Sequence, residues 1–198
     1  MNQPMQFVRT LAPEEQARAN FYALLSRLFY APDAALLAAL AQADELDGED
    51  EALSEAWRNL CTAAAHADAE AVREEFDTVF VGTGKAPVTL YTSAYSIKYS
   101  NEAPLAALRG ELAELGLRGE AAEPEDHIAA LCDVMRFLIA DGDAGLEQQK
   151  RFFQRWLQPS VEPLCAAIER NDQTSFYKHV ARTAKTFFAL EHAAFEML

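Results

Sequence analysis

Apolar residues along this chain recur at spacings of three and four, with polar residues between them, which is the mark of helices that bury one face. Pro13-Glu14-Glu15 starts the first helix with acids in its first turn, and Phe21, Leu24, Leu25, Leu28 and Phe29 form its inner stripe up to Ala31-Pro32. A second helix is expected over 33–43 (Leu36, Leu37, Leu40) and a third over 53–65 (Trp57, Leu60). Asp68 serves as N-cap of a fourth, with Val72, Phe76, Val79 and Phe80 inward and Gly82-Thr83-Gly84 as its stop. Ser100 or Asn101 caps a fifth, striped by Leu105, Leu108, Leu112 and Leu115. A sixth begins at about Glu125, carries Ile128, Leu131, Cys132, Met135, Leu138 and Ile139, and stops at Asp141-Gly142-Asp143. A shorter helix over 146–157 follows, then one opened by Pro159 and Pro163, and a last one from about Gln173. About nine helices and no repeat of 20 to 50 residues predict an all-α fold, a single-domain helical bundle over residues 1–198.

Two stretches break the helical pattern. Residues 85–99 are apolar, aromatic and irregular, and no turn signal divides them into a hairpin. We read them as an ordered loop followed by a short helical piece from about Ser93. Either the loop packs on its own core or its apolar surface is used for binding. The second stretch is Glu123-Pro124-Glu125-Asp126-His127, which places three carboxylates and an imidazole beside a proline. Pro124 fixes its own backbone angle and disfavours helix at Glu123, so this joint is stiff. Proline and acids also suit the first turn of the helix that follows.

Length and composition agree with the pattern. A chain of 198 residues with 51% hydrophobic positions is long enough for one sizeable core, and its alanine and leucine favour helix over sheet. The formal net charge of −14 disfavours nucleic acid and anionic membrane surfaces and fits a basic partner, although solubility alone explains it too. Cys61, Cys132 and Cys165 lie far apart in apolar helical contexts, as expected of buried free thiols in a reducing cytoplasm. Met1 to Thr10 has no signal-peptide core, and no uncharged apolar run is long enough to span a bilayer, so the expected location is cytoplasmic.

Candidate chemistry is sparse. Gly82-Thr83-Gly84-Lys85 lacks the earlier glycine of a phosphate loop, has Ala86 where Ser or Thr belongs, and follows a helix instead of a strand. None of His66, His127, His179 and His192 has a glutamate three residues before it, so a bridged di-metal site is not encoded. Ser93, Ser96 and Cys132 have no nucleophile context. The reading is of a protein that is not an enzyme, with no cofactor or metal of its own.

The joint also carries a resemblance. Glu123-Pro124-Glu125-Asp126-His127 matches the E-P-x-D-H signature of the TorD/DmsD/NarJ-type molybdoenzyme chaperones. Residues 76–84 are similar to that family's aromatic segment ending in Gly-Pro-Gly, and residues 87–95 to its loop ending in Ser-x-Tyr. Residues 22–29 resemble its first helix and 152–168 its penultimate region. The chain departs from the pattern at Val79, Thr83, Leu90-Tyr91 and Ser160, where the family usually has leucine, proline, tryptophan and tryptophan. The resemblance implies an all-helical cytoplasmic chaperone that binds the twin-arginine signal peptide, or the apo form, of a molybdopterin oxidoreductase catalytic subunit. Such a chaperone assists cofactor insertion and delays export until maturation. It also implies a monomer or a domain-swapped dimer, with residues 116–124 as the hinge.

On that reading Glu123, Glu125 and Asp126 are candidates for the peptide's arginines, with Pro124 and His127 shaping the joint. Phe76, Phe80, Pro87, Leu90, Tyr91 and Tyr95 are candidates for a groove that takes its apolar segment. A structural role stands beside the binding one: Asp126 as a helix cap, with His127 hydrogen-bonded to hold the joint. Two other functions remain open, a helical adaptor that binds an unrelated partner helix, and a guanine-nucleotide-binding regulator.

Overall fold

The computed structural model describes residues 11–46, 48, 50–96, 102–117, 124–140 and 145–198. Glu123, the Ser100/Asn101 cap, the 141–143 stop and most of the 116–124 hinge lie outside those residues. Every regular element described is helical: α1 (Pro13–Tyr30), α2 (Ala34–Ala41), α3 (Glu51–His66), α4 (Ala69–Phe76), α5 (Ser93–Ser96), α6 (Glu102–Glu114), α7 (Ile128–Ala140), α8 (Leu146–Phe152), α9 (Gln158–Arg170) and α10 (Phe176–Glu196). The all-α prediction holds, and the short helix after the aromatic loop is α5.

The predicted stripes form the core. α1 lies along α7, bringing Leu25, Leu28 and Phe29 among Leu131, Met135 and Leu138, all buried. α10 packs on α3 and α9, and Phe187 stacks on Phe21 with ring centres 4.5 Å apart. Cys132 and Cys165 are buried thiols, and burial pushes Cys165 up to about 12. Cys61 departs from the expectation and is only half-buried, because it sits on the flank of α3.

Three local features differ from the pattern-based reading. Two helices pass through a single π-helical turn, α4 over Asp77–Val81 and α8 over Phe153–Leu157. The second replaces the break expected at Pro159. A proline has no N–H and crowds the carbonyl four residues back, here that of Arg155 inside the π turn, whose wider pairing lets α8 run on into α9. The third is the joint: α7 starts at Ile128 and not near Glu125, so Pro124 does not open the helix.

The N-terminus of α10 is capped from a distance. The Glu75 carboxylate on α4 accepts the N–H groups of Ser175 (2.9 Å) and Tyr177 (2.8 Å) on Oε1 and that of Phe176 (3.0 Å) on Oε2. Three orphan donors and the positive helix end are satisfied by one side chain. Replacing Glu75 with alanine is expected to cost about 2–3 kcal/mol in urea denaturation, more than an ordinary cap because three charge-assisted bonds are lost. A loss under about 0.5 kcal/mol, within the range of a neutral surface change, would show that water substitutes for the carboxylate.

Candidate binding groove and its latch

α4, its π turn and the 85–95 loop enclose an open groove of about 1000 Å³, closed off by the end of α1, by α9 and by His127. Its floor is laid by α4. Phe76 and Phe80, one helical turn apart, face inward and rest on buried Tyr177 of α10, at 5.7 Å and 4.9 Å between ring centres. The Glu75 cap joins the same two helices one residue away, so the floor and the cap brace each other.

The chain reverses at Gly82, whose φ of 64° lies in the left-handed region. A side-chain carbon there would come within 3.0 Å of the Lys85 carbonyl, so a glycine is required. The Val88 N–H then returns to the Val79 carbonyl at 3.0 Å, which turns Pro87, Leu90, Tyr91 and Tyr95 into the groove's second wall. The Tyr95 hydroxyl donates to the Thr89 carbonyl at 2.8 Å and stiffens that wall.

The joint latches this loop. The Ile128 N–H donates to the Leu90 carbonyl and the Thr92 N–H to the Asp126 carbonyl, both at 2.9 Å, making an isolated antiparallel bridge between Tyr91 and His127. The Asp126 side chain is buried, and its Oδ2 accepts the N–H of Ser93, the first residue of α5, at 3.0 Å. His127 caps α7 in its place, with Nδ1 accepting the Ala129 N–H at 3.2 Å, while its ring meets Tyr91 edge to face at 5.2 Å. Glu125 pairs with Arg109 of α6, and that guanidinium holds its carboxyl below the usual glutamate range. The other Glu125 oxygen, Oε2, is buried and has no hydrogen-bond partner among the described residues.

Seven of the eleven candidate residues therefore share one groove: Phe76, Phe80, Pro87, Leu90, Tyr91, Tyr95 and His127. Pro124, Glu125 and Asp126 sit behind it at the latch and do not line it, and Glu123 lies outside the described residues. Sequence reasoning missed Tyr30 and Val81, which lie on the groove with 66% and 57% of their surface exposed. Both follow the stripes of their helices, and solvent exposure of such large apolar groups is what a docking surface shows. It also missed Arg73, Lys85 and Arg109.

The family model for the nitrate reductase delta subunit matches residues 46–166, more than half of the chain and the whole of the groove's second wall and latch. The chain belongs to the nitrate reductase delta subunit family. This agrees with the family resemblance carried by the joint. Among solved structures, a protein from Archaeoglobus fulgidus described as a redox enzyme maturation protein superposes with a TM-score of 0.59 at 18% identity, over 94% of this chain and 99% of that one. At that identity the likeness concerns the fold. No curated protein matches by sequence. The matched stretch includes Asp126 and His127, which tie the groove wall to the start of α7.

Proposed function

We propose that this protein is a cytoplasmic chaperone for the maturation of a redox enzyme. It binds an apolar segment of a molybdopterin oxidoreductase subunit, in its twin-arginine leader or elsewhere in its apo form, while the cofactor is inserted. Family membership supports the class, and the description of the structural neighbour as a redox enzyme maturation protein points the same way. The observation that carries the reading is the groove itself. Seven residues singled out from sequence line one open, largely apolar channel with exposed Val81 and Tyr30 on it. Such a channel suits an amphipathic or apolar peptide. Of the joint's described acids, Glu125 is paired with Arg109 and its second oxygen is buried, so it is not open to a client arginine. Asp126 is committed to Ser93.

The test uses a labelled synthetic peptide with two arginines followed by an apolar run, titrated by fluorescence anisotropy. Val81→Asn and Tyr91→Ala are each expected to weaken binding about tenfold, a change of ~1.4 kcal/mol, with the circular dichroism unchanged. Binding that is indifferent to both substitutions would remove the groove from the mechanism.

A further inference from the structure

The charges on the groove run opposite to those of the whole chain. Although the net charge is −14, the charged side chains lining the groove among the described residues are Arg73 and Lys85, with no carboxylate. Arg73 is partly satisfied by Asp77 one turn on, at 3.2 Å, and lies over the Phe76 ring at 6.0 Å. Lys85 is exposed, stands in the turn held by Gly82, and has no salt-bridge partner among the described residues. A lysine kept beside exposed Val81 and Pro87 sets a requirement on whatever occupies the groove. An apolar segment bordered by arginine alone meets a like charge there, whereas one bordered by a carboxylate forms an ion pair at the edge of an apolar surface, where water screens it less.

We infer that the groove selects a client segment in which an acidic side chain borders the apolar run, with Lys85 as the residue that reads it. The inference rests on the groove reading above and adds to it the chemistry of the client. Any arginines of that client then lie outside the groove. The protein's overall negative field attracts basic peptides from a distance, while Lys85 acts at contact range and sets which flank is accepted.

Two peptides with an identical leucine- and phenylalanine-rich core, one flanked by glutamates and one by arginines, separate these effects. Their Kd values are measured for the wild type, for Lys85→Glu, and for Lys150→Glu, which makes the same charge change on α8 away from the groove. The ratio of the arginine-flanked to the glutamate-flanked Kd is the readout, because long-range attraction enters wild type and control alike. Lys85→Glu is expected to lower that ratio roughly tenfold relative to Lys150→Glu, with the glutamate-flanked peptide losing affinity. An equal ratio in the two variants overturns the inference. Tyr91→Ala keeps the two levels distinct: if it weakens both peptides while Lys85→Glu and Lys150→Glu give equal ratios, the groove stands and its charge selection falls. If neither peptide responds to Tyr91→Ala, the groove reading fails and the inference fails with it.

Discussion

Replacing Glu191 with alanine is expected to cost about 3–5 kcal/mol of stability, the range for breaking a buried ion pair from one side. In α10 the Glu191 carboxylate takes both arms of Arg18 from α1, Nε at 2.6 Å and Nη2 at 2.8 Å, and also accepts the Tyr22 hydroxyl at 3.0 Å. Arg18 reaches Gln149 of α8 at 3.2 Å and covers the Phe195 ring at 5.3 Å, so three helices meet at one polar cluster. The side chains of Arg18 and Glu191 are only 20% and 4% exposed. Removing the acid strands a guanidinium and a fully buried phenol, whose ionisation burial and Glu191 already push well above the ordinary range. The pair is less costly to remove as a whole. A double variant, Arg18→Met with Glu191→Leu, is expected to recover part of the loss, because it removes the stranded guanidinium while the buried Tyr22 hydroxyl stays without its acceptor. Chemical denaturation of the two variants checks both statements. A single variant losing under 1 kcal/mol would mean that water reaches the cluster.

Asp126 is the second site of large effect. Asp126→Ala is expected to cost about 2–4 kcal/mol, because it leaves the buried N–H of Ser93 unpaired and opens a small void beneath the latch. Asp126→Asn keeps a carbonyl oxygen for the same bond and is expected to cost under about 1 kcal/mol. The pair of variants also separates the two roles read from the sequence. If Asp126 acts through the latch, the asparagine variant binds an arginine-bearing peptide as the wild type does, with the same salt dependence. The alanine variant then weakens apolar peptides and basic ones equally, since the loop wall moves. If the charge contacts an arginine, the asparagine variant loses affinity and part of its salt dependence. Anisotropy titrations at low and high salt distinguish these outcomes.

The helices were legible because their apolar stripes are local, as in Phe21, Leu24, Leu25 and Leu28 of α1. The cap expected at Asp68 is present, and Asp33 and Asp50, not named as caps beforehand, act in the same way, each accepting an N–H of the first turn of its helix. The groove was anticipated only through the family resemblance, on residues whose local pattern is consistent with it. Phe76 and Phe80 are one turn apart on a helix, and residues 87–95 are too apolar for a free loop. Glu75 could not be read, because an acid in the last turn of α4 looks like a solvated residue until α10 arrives a hundred positions later. The same holds for Arg18 and Glu191, which are 173 positions apart.

The sequence alone determined an all-helical chain, a family resemblance carried by the E-P-x-D-H joint, and the aromatic residues that this resemblance makes candidates for a groove. These follow from periodicity, proline and glycine chemistry, and short motifs, which act within a few residues. Only the tertiary structure decided which carboxylate does what. Burial against α5 commits Asp126 to Ser93, the approach of α6 gives Glu125 an arginine, and the Gly82 turn sets Lys85 on an apolar groove in an acidic protein. A side chain's charge is written in its residue type, but its partner depends on which helices meet.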